Sequence, residues 1–378
     1  MSAEVTPSGL QRTRPSMDFR KVERVLIYRL GSLGDTVVAL PALHLIERAF
    51  PNAQRLLLTN IPVHTKAPAA FTVLDGSGLV DGFINYPVGT RSMRELIRIR
   101  REVRRLRPEV LVYLMPSRGY YALLRDALFF RLCGIRWIVG LPFGELAENG
   151  FDTVAGLREQ EAARLVRCLC SLGDADSGDL NEWDLRLTLA EKYTATMSLE
   201  SLGESPLIAC GISGKMQAND WGVANWKSLL QRLSTAMPRH ALVLVGAKED
   251  FPASEIAREG WQGKALNLCG ALTPRETAAV VAHVELFLGP DSGPKYLAAI
   301  AGVPCAIAYS ARNLPGIWFP PGRYHRNVYH AVDCANCHLT VCIKQGKKCI
   351  ASITVDEMYT AAMEAWKSGR GSETGQRF

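Results

Sequence analysis

The chain has 378 residues, 48% of them hydrophobic and 21% charged, with a formal net charge of +7. That length accommodates two domains of ordinary size, and that balance excludes a disordered chain. Ten cysteines spread over so long a chain exclude a small disulfide-stapled scaffold. No apolar run is long enough to cross a bilayer and the polar start lacks a signal-peptide core, so a cytoplasmic location is expected. The positive surplus favours an acidic partner: phosphate, nucleic acid or an anionic membrane surface.

Residues 1–20 read as a flexible arm, and residues 21–175 as a first Rossmann-like domain. Val25 to Tyr28 is a short apolar run, a buried first strand. Gly31 and Gly34 then punctuate a tight loop, Asp35 follows, and a helix is expected from about Thr36 to Phe50. In an open α/β sheet this order puts the loop at the carboxyl end of a strand, where ligands bind. Asp35 has two readings there: an N-cap of the helix, or a carboxylate at the mouth of a cleft that acts as general base. Further strands are expected over residues 55–59, 83–86, 110–115 and 137–140.

Between them, residues 91–107 place Leu96, Ile99, Val103 and Leu106 at helical spacing and Arg94, Arg98, Arg101 and Arg105 along the other side. Such a face is either solvated or rests on anionic headgroups. Residues 176–205, acidic and turn-rich at their start, read as a linker, with Leu185 to Leu189 extended.

A second Rossmann-like domain is expected over residues 206–353. Its strand from Leu207 to Ile212 leads into a loop carrying Lys215, and a helix starts near Val223. The run Leu288-Gly-Pro-Asp-Ser-Gly-Pro-Lys295 is again strand, glycine-rich loop and helix. Gly293, Pro294 and the helix start make an anion site, to which Ser292 adds a hydroxyl and Lys295 a charge, while Asp291 either caps the helix or holds a sugar hydroxyl. Cys334, Cys337, Cys342 and Cys349 lie close enough to ligate one structural Zn²⁺, or to remain reduced thiols in a compact loop. Residues 354–367 read as a final helix, and residues 368–378 as a disordered tail.

Arg29-Leu-Gly-Ser-Leu-Gly-Asp35 running to Leu40-Pro-Ala42 resembles the opening signature of the heptosyltransferases, glycosyltransferase family 9. Leu288-Gly-Pro-Asp-Ser-Gly-Pro294, with Leu297-Ala-Ala and Ala301-Gly-Val-Pro304, resembles that family's donor-binding segment. The likeness spans roughly residues 24–365. It implies a GT-B fold, two Rossmann-like domains facing across a cleft, with the donor held mainly by the second and the last helix packed back toward the first.

It also implies inverting transfer of a heptose from ADP-heptose to the inner core of lipopolysaccharide, with no required cofactor. Asp35 would be the base, and Arg29, Ser32 and Gly34 the acceptor-side loop. Lys215 and Asp291 to Lys295 would hold the phosphates. The implied partners are a nucleotide-sugar donor and a lipid-linked saccharide acceptor met at the inner face of the inner membrane.

The chain departs from the family at Lys295-Tyr296, where relatives often carry Met-His, and at Asn219 and Gly222, where a basic residue and a proline are common. Two alternatives stand beside this reading. One is a GT-B transferase using another nucleotide sugar or a non-lipid acceptor. The other is a non-catalytic nucleotide- or nucleic-acid-binding protein, against which the arginine helix lacks interleaved stacking aromatics.

Overall fold

The computed structural model describes residues 17–61, 68–87 and 92–370. Residues 1–16 of the expected arm and 371–378 of the expected tail lie outside these. In the first domain the strands are β1 (Arg24–Tyr28), β2 (Gln54–Ile61), β3 (Gly82–Pro87), β4 (Val110–Tyr113) and β5 (Trp137–Val139). They form one parallel sheet in the order β3-β2-β1-β4-β5. β1 and β4 are apolar throughout and buried, as strands covered on both faces must be. The order reverses between β1 and β4, and the crevice opens at their carboxyl ends.

The covering helices are α1 (Leu33–Val38), α2 (Leu40–Ala49), α3 (Phe71–Leu74), α4 (Met93–Leu106), α5 (Tyr120–Leu132) and α6 (Glu161–Cys168). The single helix expected over 36–50 is broken at Ala39. Pro41 lies in the first turn of α2 and has no N–H with which to continue the preceding turn. A two-stranded ribbon, β6 (Phe151–Asp152) with β7 (Leu157–Arg158), follows β5.

Residues 176–205 are structured. They carry α7 (Leu189–Leu199), whose Thr188 N-cap and Glu191 form a capping box, so the expected extended piece ends where this helix begins. The second sheet contains β8 (Leu207–Cys210), β9 (Ala241–Leu244), β10 (Ala265–Asn267), β11 (Leu286–Pro290), β12 (Cys305–Tyr309) and β13 (Arg326–Tyr329). It is parallel, in the order β10-β9-β8-β11-β12-β13. Its helices are α8 (Val223–Ala236), α9 (Phe251–Arg258), α10 (Pro274–Val281), α11 (Gly293–Ile300), α12 (Lys348–Ala351) and α13 (Val355–Arg370).

α13 differs from expectation twice. It stays helical through Arg370, past the Ser368 at which the tail was expected. It also packs on α8 and β11–β13 of its own domain rather than toward the first. The reason is its inner face: Met358, Ala361, Ala362 and Ala365 are buried with Trp226, which lies on the sheet-facing side of α8.

Buried Arg275 of α10 ties the domains together. It donates to the carbonyls of Val73, Leu185 and Arg186 at 3.0, 3.0 and 2.9 Å, and pairs with Glu191. Arg158 and Glu161 donate backbone N–H bonds to Pro315 and Ile317 of the second domain, both at 2.9 Å.

Candidate active site

A cavity of about 640 Å³ lies between the domains, lined by the loops that leave β1, β8, β9 and β11. On the first domain's side it is built by the loop 29–35. Ser32 occupies the N-cap of α1 and Asp35 its third turn position. Asp35 Oδ2 accepts from Ser32 N at 2.8 Å and from Ser32 Oγ at 3.2 Å. Oδ1 lies 4.0 Å from Arg29 Nη2, and the side chain is 30% exposed into the cavity. The two sequence readings of Asp35 are thus compatible: Oδ2 serves the capping box while the side chain lines the cleft.

Gly31 makes this possible. A Cβ there would fall 2.2 Å from Asp35 Cβ, so only glycine admits the carboxylate's close return over the loop.

Ser32, Gly34 and Asp35 line the cavity, and Arg29 does not. Arg29 is 3% exposed and its guanidinium turns inward. It donates from Nε and Nη2 to the Asp35 carbonyl (3.1 and 2.7 Å) and from Nη1 to the Leu114 carbonyl (2.7 Å). Burial lowers its pKa, opposed first by the charge of Asp35. Its role in the geometry is to hold the loop between β1 and β4.

The opposite wall is the start of α11. Asp291, Ser292, Gly293, Pro294 and Lys295 all line the cavity. Ser292 is the N-cap and makes no side-chain capping bond. Its hydroxyl is buried without a partner among the described residues, a donor aimed at whatever the helix end receives. The unbonded N–H groups and the positive end of the helix macrodipole favour an anion there.

Lys295 is 1% exposed. Its ammonium pairs with the Asp291 carboxylate and lies 4.4 and 4.8 Å from the ring centres of Tyr296 and Tyr309. Burial lowers its pKa, and Asp291 opposes that shift. The lysine charge therefore reaches the cavity through a carboxylate that it neutralises.

Lys215 is exposed at the rim, with no salt bridge among the described residues. Asn219, buried below it, donates to the Asp291 carbonyl at 2.9 Å and accepts from Ser310 Oγ at 2.5 Å. At the position where a basic residue is common, this chain has an amide that positions the Asp291 loop.

Two further groups of lining residues were not singled out from the sequence. The loop 246–250 after β9 is held when Asp250 accepts from Ser213 Oγ and from Ala247 N. Arg312, Asn313 and Trp318 come from the segment after β12. Gly246 at the end of β9 is the local sign of the first group; the second has none, because its approach depends on long-range packing.

The four-cysteine metal site is corrected. Among the described residues, which include Cys334, Cys337, Cys342 and Cys349, no group of three or more His, Cys, Asp or Glu is arranged to hold a metal, and all four thiols are free. Spacing alone had allowed a site, but the segment is spread over the second domain by other bonds. Thr340 accepts from Ala218 N, Cys342 N donates to Gln217, Lys347 pairs with Asp220, and Arg312 holds the carbonyls of His338 and Leu339. These contacts brace the Lys215 loop.

Residues 174–347 match the family model of glycosyltransferase family 9 (heptosyltransferase). No curated protein matches the chain in sequence. Among solved structures it is similar to a family 9 glycosyltransferase from Veillonella parvula DSM 2008, with a TM-score of 0.71 at 16% identity over 93% of this chain and 99% of that one. It is similar also to the E. coli ADP-heptose lps heptosyltransferase II (0.64, 16% identity, 92% and 99%) and to E. coli heptosyltransferase WaaC with ADP (0.59, 15%, 90% and 99%). These likenesses carry the GT-B fold over nearly the whole chain. The chain thus has the fold of these glycosyltransferases over nearly its whole length, and its residues 174–347 are similar to glycosyltransferase family 9 (heptosyltransferase).

Proposed function

We propose that the protein is an inverting transferase that moves a heptose from an ADP-linked donor to the inner core of lipopolysaccharide, at the cytoplasmic face of the inner membrane. One observation carries the reading: a cleft-facing carboxylate, Asp35, shares a cavity with a helix start that presents an unpartnered Ser292 hydroxyl. A base on one wall and an anion site on the other is what displacement at an anomeric carbon requires.

In this reading the acceptor hydroxyl gives its proton to Asp35 Oδ1 while its oxygen forms a bond to the anomeric carbon. The bond from that carbon to the diphosphate oxygen breaks from the opposite face, which inverts the configuration. ADP leaves with the electron pair. Its growing charge is met by the α11 N-terminus, the Ser292 hydroxyl and Lys215. Arg29 keeps Asp35 in place by holding its backbone. The lipid-linked saccharide would enter from the first domain's side, past Ser32 and Gly34.

The test is Asp35→Asn, assayed for transfer from ADP-heptose to a lipid-linked core acceptor. Transfer is expected to fall to background while ADP still raises the thermal midpoint as in the parent. Normal turnover by this variant removes Asp35 from the chemistry. A midpoint shift with UDP or GDP but not ADP would keep the reaction class and replace the donor.

A further inference from the structure

Outside the cleft, α5 has an unexpected outer surface. It buries Leu123, Asp126 and Phe130 against the first sheet, so its opposite side should be polar. Instead Tyr121, Leu124, Leu128 and Leu132 are exposed, by 89%, 43%, 61% and 54%. At 3.6 residues per turn these four lie within an arc of roughly 80°, with Arg125 and Arg131 at its margins. The helix's one acid, Asp126, is buried and held by Tyr113, Arg118 and Arg125. The outer face therefore carries no carboxylate.

Charge is concentrated beside it. α4 is adjacent, since Arg100 Nε donates to the Leu132 carbonyl at 3.2 Å. Residues 92–137 contain eleven arginines and four carboxylates, a surplus of seven that equals the net charge of the entire chain. Glu95 and Glu102 of α4 are both taken by Arg98. Arg101, Arg104 and Arg105 are exposed with no carboxylate partner among the described residues. At the start of α5, Tyr120 makes edge contacts with Tyr121 and with exposed Phe143.

An apolar arc, flanking arginines, aromatic residues at one end and no exposed acid are the features of a helix that lies in a membrane interface. No helix among the described residues is long and apolar enough to cross a membrane.

We infer that the outer face of α5, with the arginines of α4, docks this protein flat onto an anionic lipid bilayer. The leucines and tyrosines enter the headgroup boundary, and the arginines take lipid phosphates. A second copy of the chain is a poorer occupant, because a two-fold pairing would set this arginine-rich surface against itself. α5 starts at the carboxyl end of β4, the edge of the sheet that faces the cleft. Docking thus brings headgroups to the cleft rim. The inference deepens the proposed function by naming where a lipid-linked acceptor is met, yet it does not depend on the sugar transferred.

The full chain is sedimented with phosphatidylcholine vesicles, with and without phosphatidylglycerol, at low and high salt. Binding to the anionic vesicles that weakens with salt is expected. Leu124→Ser with Leu128→Ser should lower partition at least about tenfold. Arg101→Gln with Arg104→Gln should remove most of the preference for anionic lipid. All four positions are exposed, so both variants should keep the parent's thermal midpoint and its stabilisation by ADP.

Absence of vesicle binding, or binding that neither variant weakens, overturns the inference. So does a dimer in solution that Leu128→Ser dissolves without any effect on vesicles. Failure of ADP to stabilise a chain that still binds vesicles would instead strike the donor reading.

Discussion

Replacing Lys295 by methionine keeps most of its volume and removes only the charge. The lysine side chain is 1% exposed and paired with Asp291, which lines the α11 wall of the cavity. Two costs follow. Breaking a buried pair by deleting one partner destabilises by about 3–5 kcal/mol, and the lower end applies because the Asp291 carboxylate retains some exposure to the cavity. The bare carboxylate would also repel a diphosphate at the α11 N-terminus. At a separation of roughly 7 Å and an effective dielectric of about 20, that repulsion is about 2 kcal/mol, near thirtyfold in ADP affinity. Lys295→Met should therefore lose stability in urea unfolding and bind ADP more weakly by calorimetry. Adding Asp291→Asn removes the stranded charge, and this double variant should recover most of both losses, a coupling read directly from the four-protein cycle. If Lys295→Met keeps its stability and binds ADP within twofold of the parent, the neutralising role is wrong.

If Asp35 is the proposed base, Gly31→Ala should lower kcat by about 10²-fold with ADP binding unchanged, because a Cβ 2.2 Å from Asp35 Cβ forces that side chain aside; steady-state kinetics with a parallel ADP titration check this. Lys215→Ala should weaken ADP binding while leaving the unfolding free energy within about 0.5 kcal/mol, since the side chain is exposed and makes no ion pair among the described residues. Arg275→Met should cost about 3–5 kcal/mol by leaving Glu191 and three carbonyls unpaired between the domains, measured by urea unfolding.

His325 is held neutral: burial lowers its pKa from 6.5 to about 4. The unfolded chain binds the proton first, so the fold loses stability as pH falls from 6.5 toward 4, by up to about 3 kcal/mol. Melting curves of the parent and of His325→Gln should diverge across that interval and run parallel above it.

Much of the architecture was legible because local signals repeat. A short apolar run, a glycine and a helix start mark the β1 loop, the β8 loop and the β11 loop, and all three meet at one cavity. The misread parts are those where a side chain's direction is decided from far away. Arg29 sits beside a cleft residue in sequence, but carbonyls of Asp35 and Leu114 draw its guanidinium inward. Lys295 follows Asp291 by one helical turn, a spacing that usually means a surface pair; only the packing of Tyr309 from β12 shows it enclosed. The cysteine spacing suited a metal, yet spacing does not orient thiols. The outer face of α5 escaped for another reason: a helix apolar on both sides has no contrast for periodicity to detect.

Gly293 of α11 touches Leu33 of α1 so closely that a Cβ on it would meet the leucine side chain at 2.7 Å. The two walls of the cavity thus meet in close contact two residues from Asp35. An opening of the cleft that parted this contact would also withdraw Asp35 from the start of α11. With Asp35 as the base proposed above, such an open molecule would load or discharge ligand without directing a proton transfer at a bound sugar. Water entering would then find a donor without that base beside it. A leucine on a glycine would in this way guard an activated sugar against being spent on solvent.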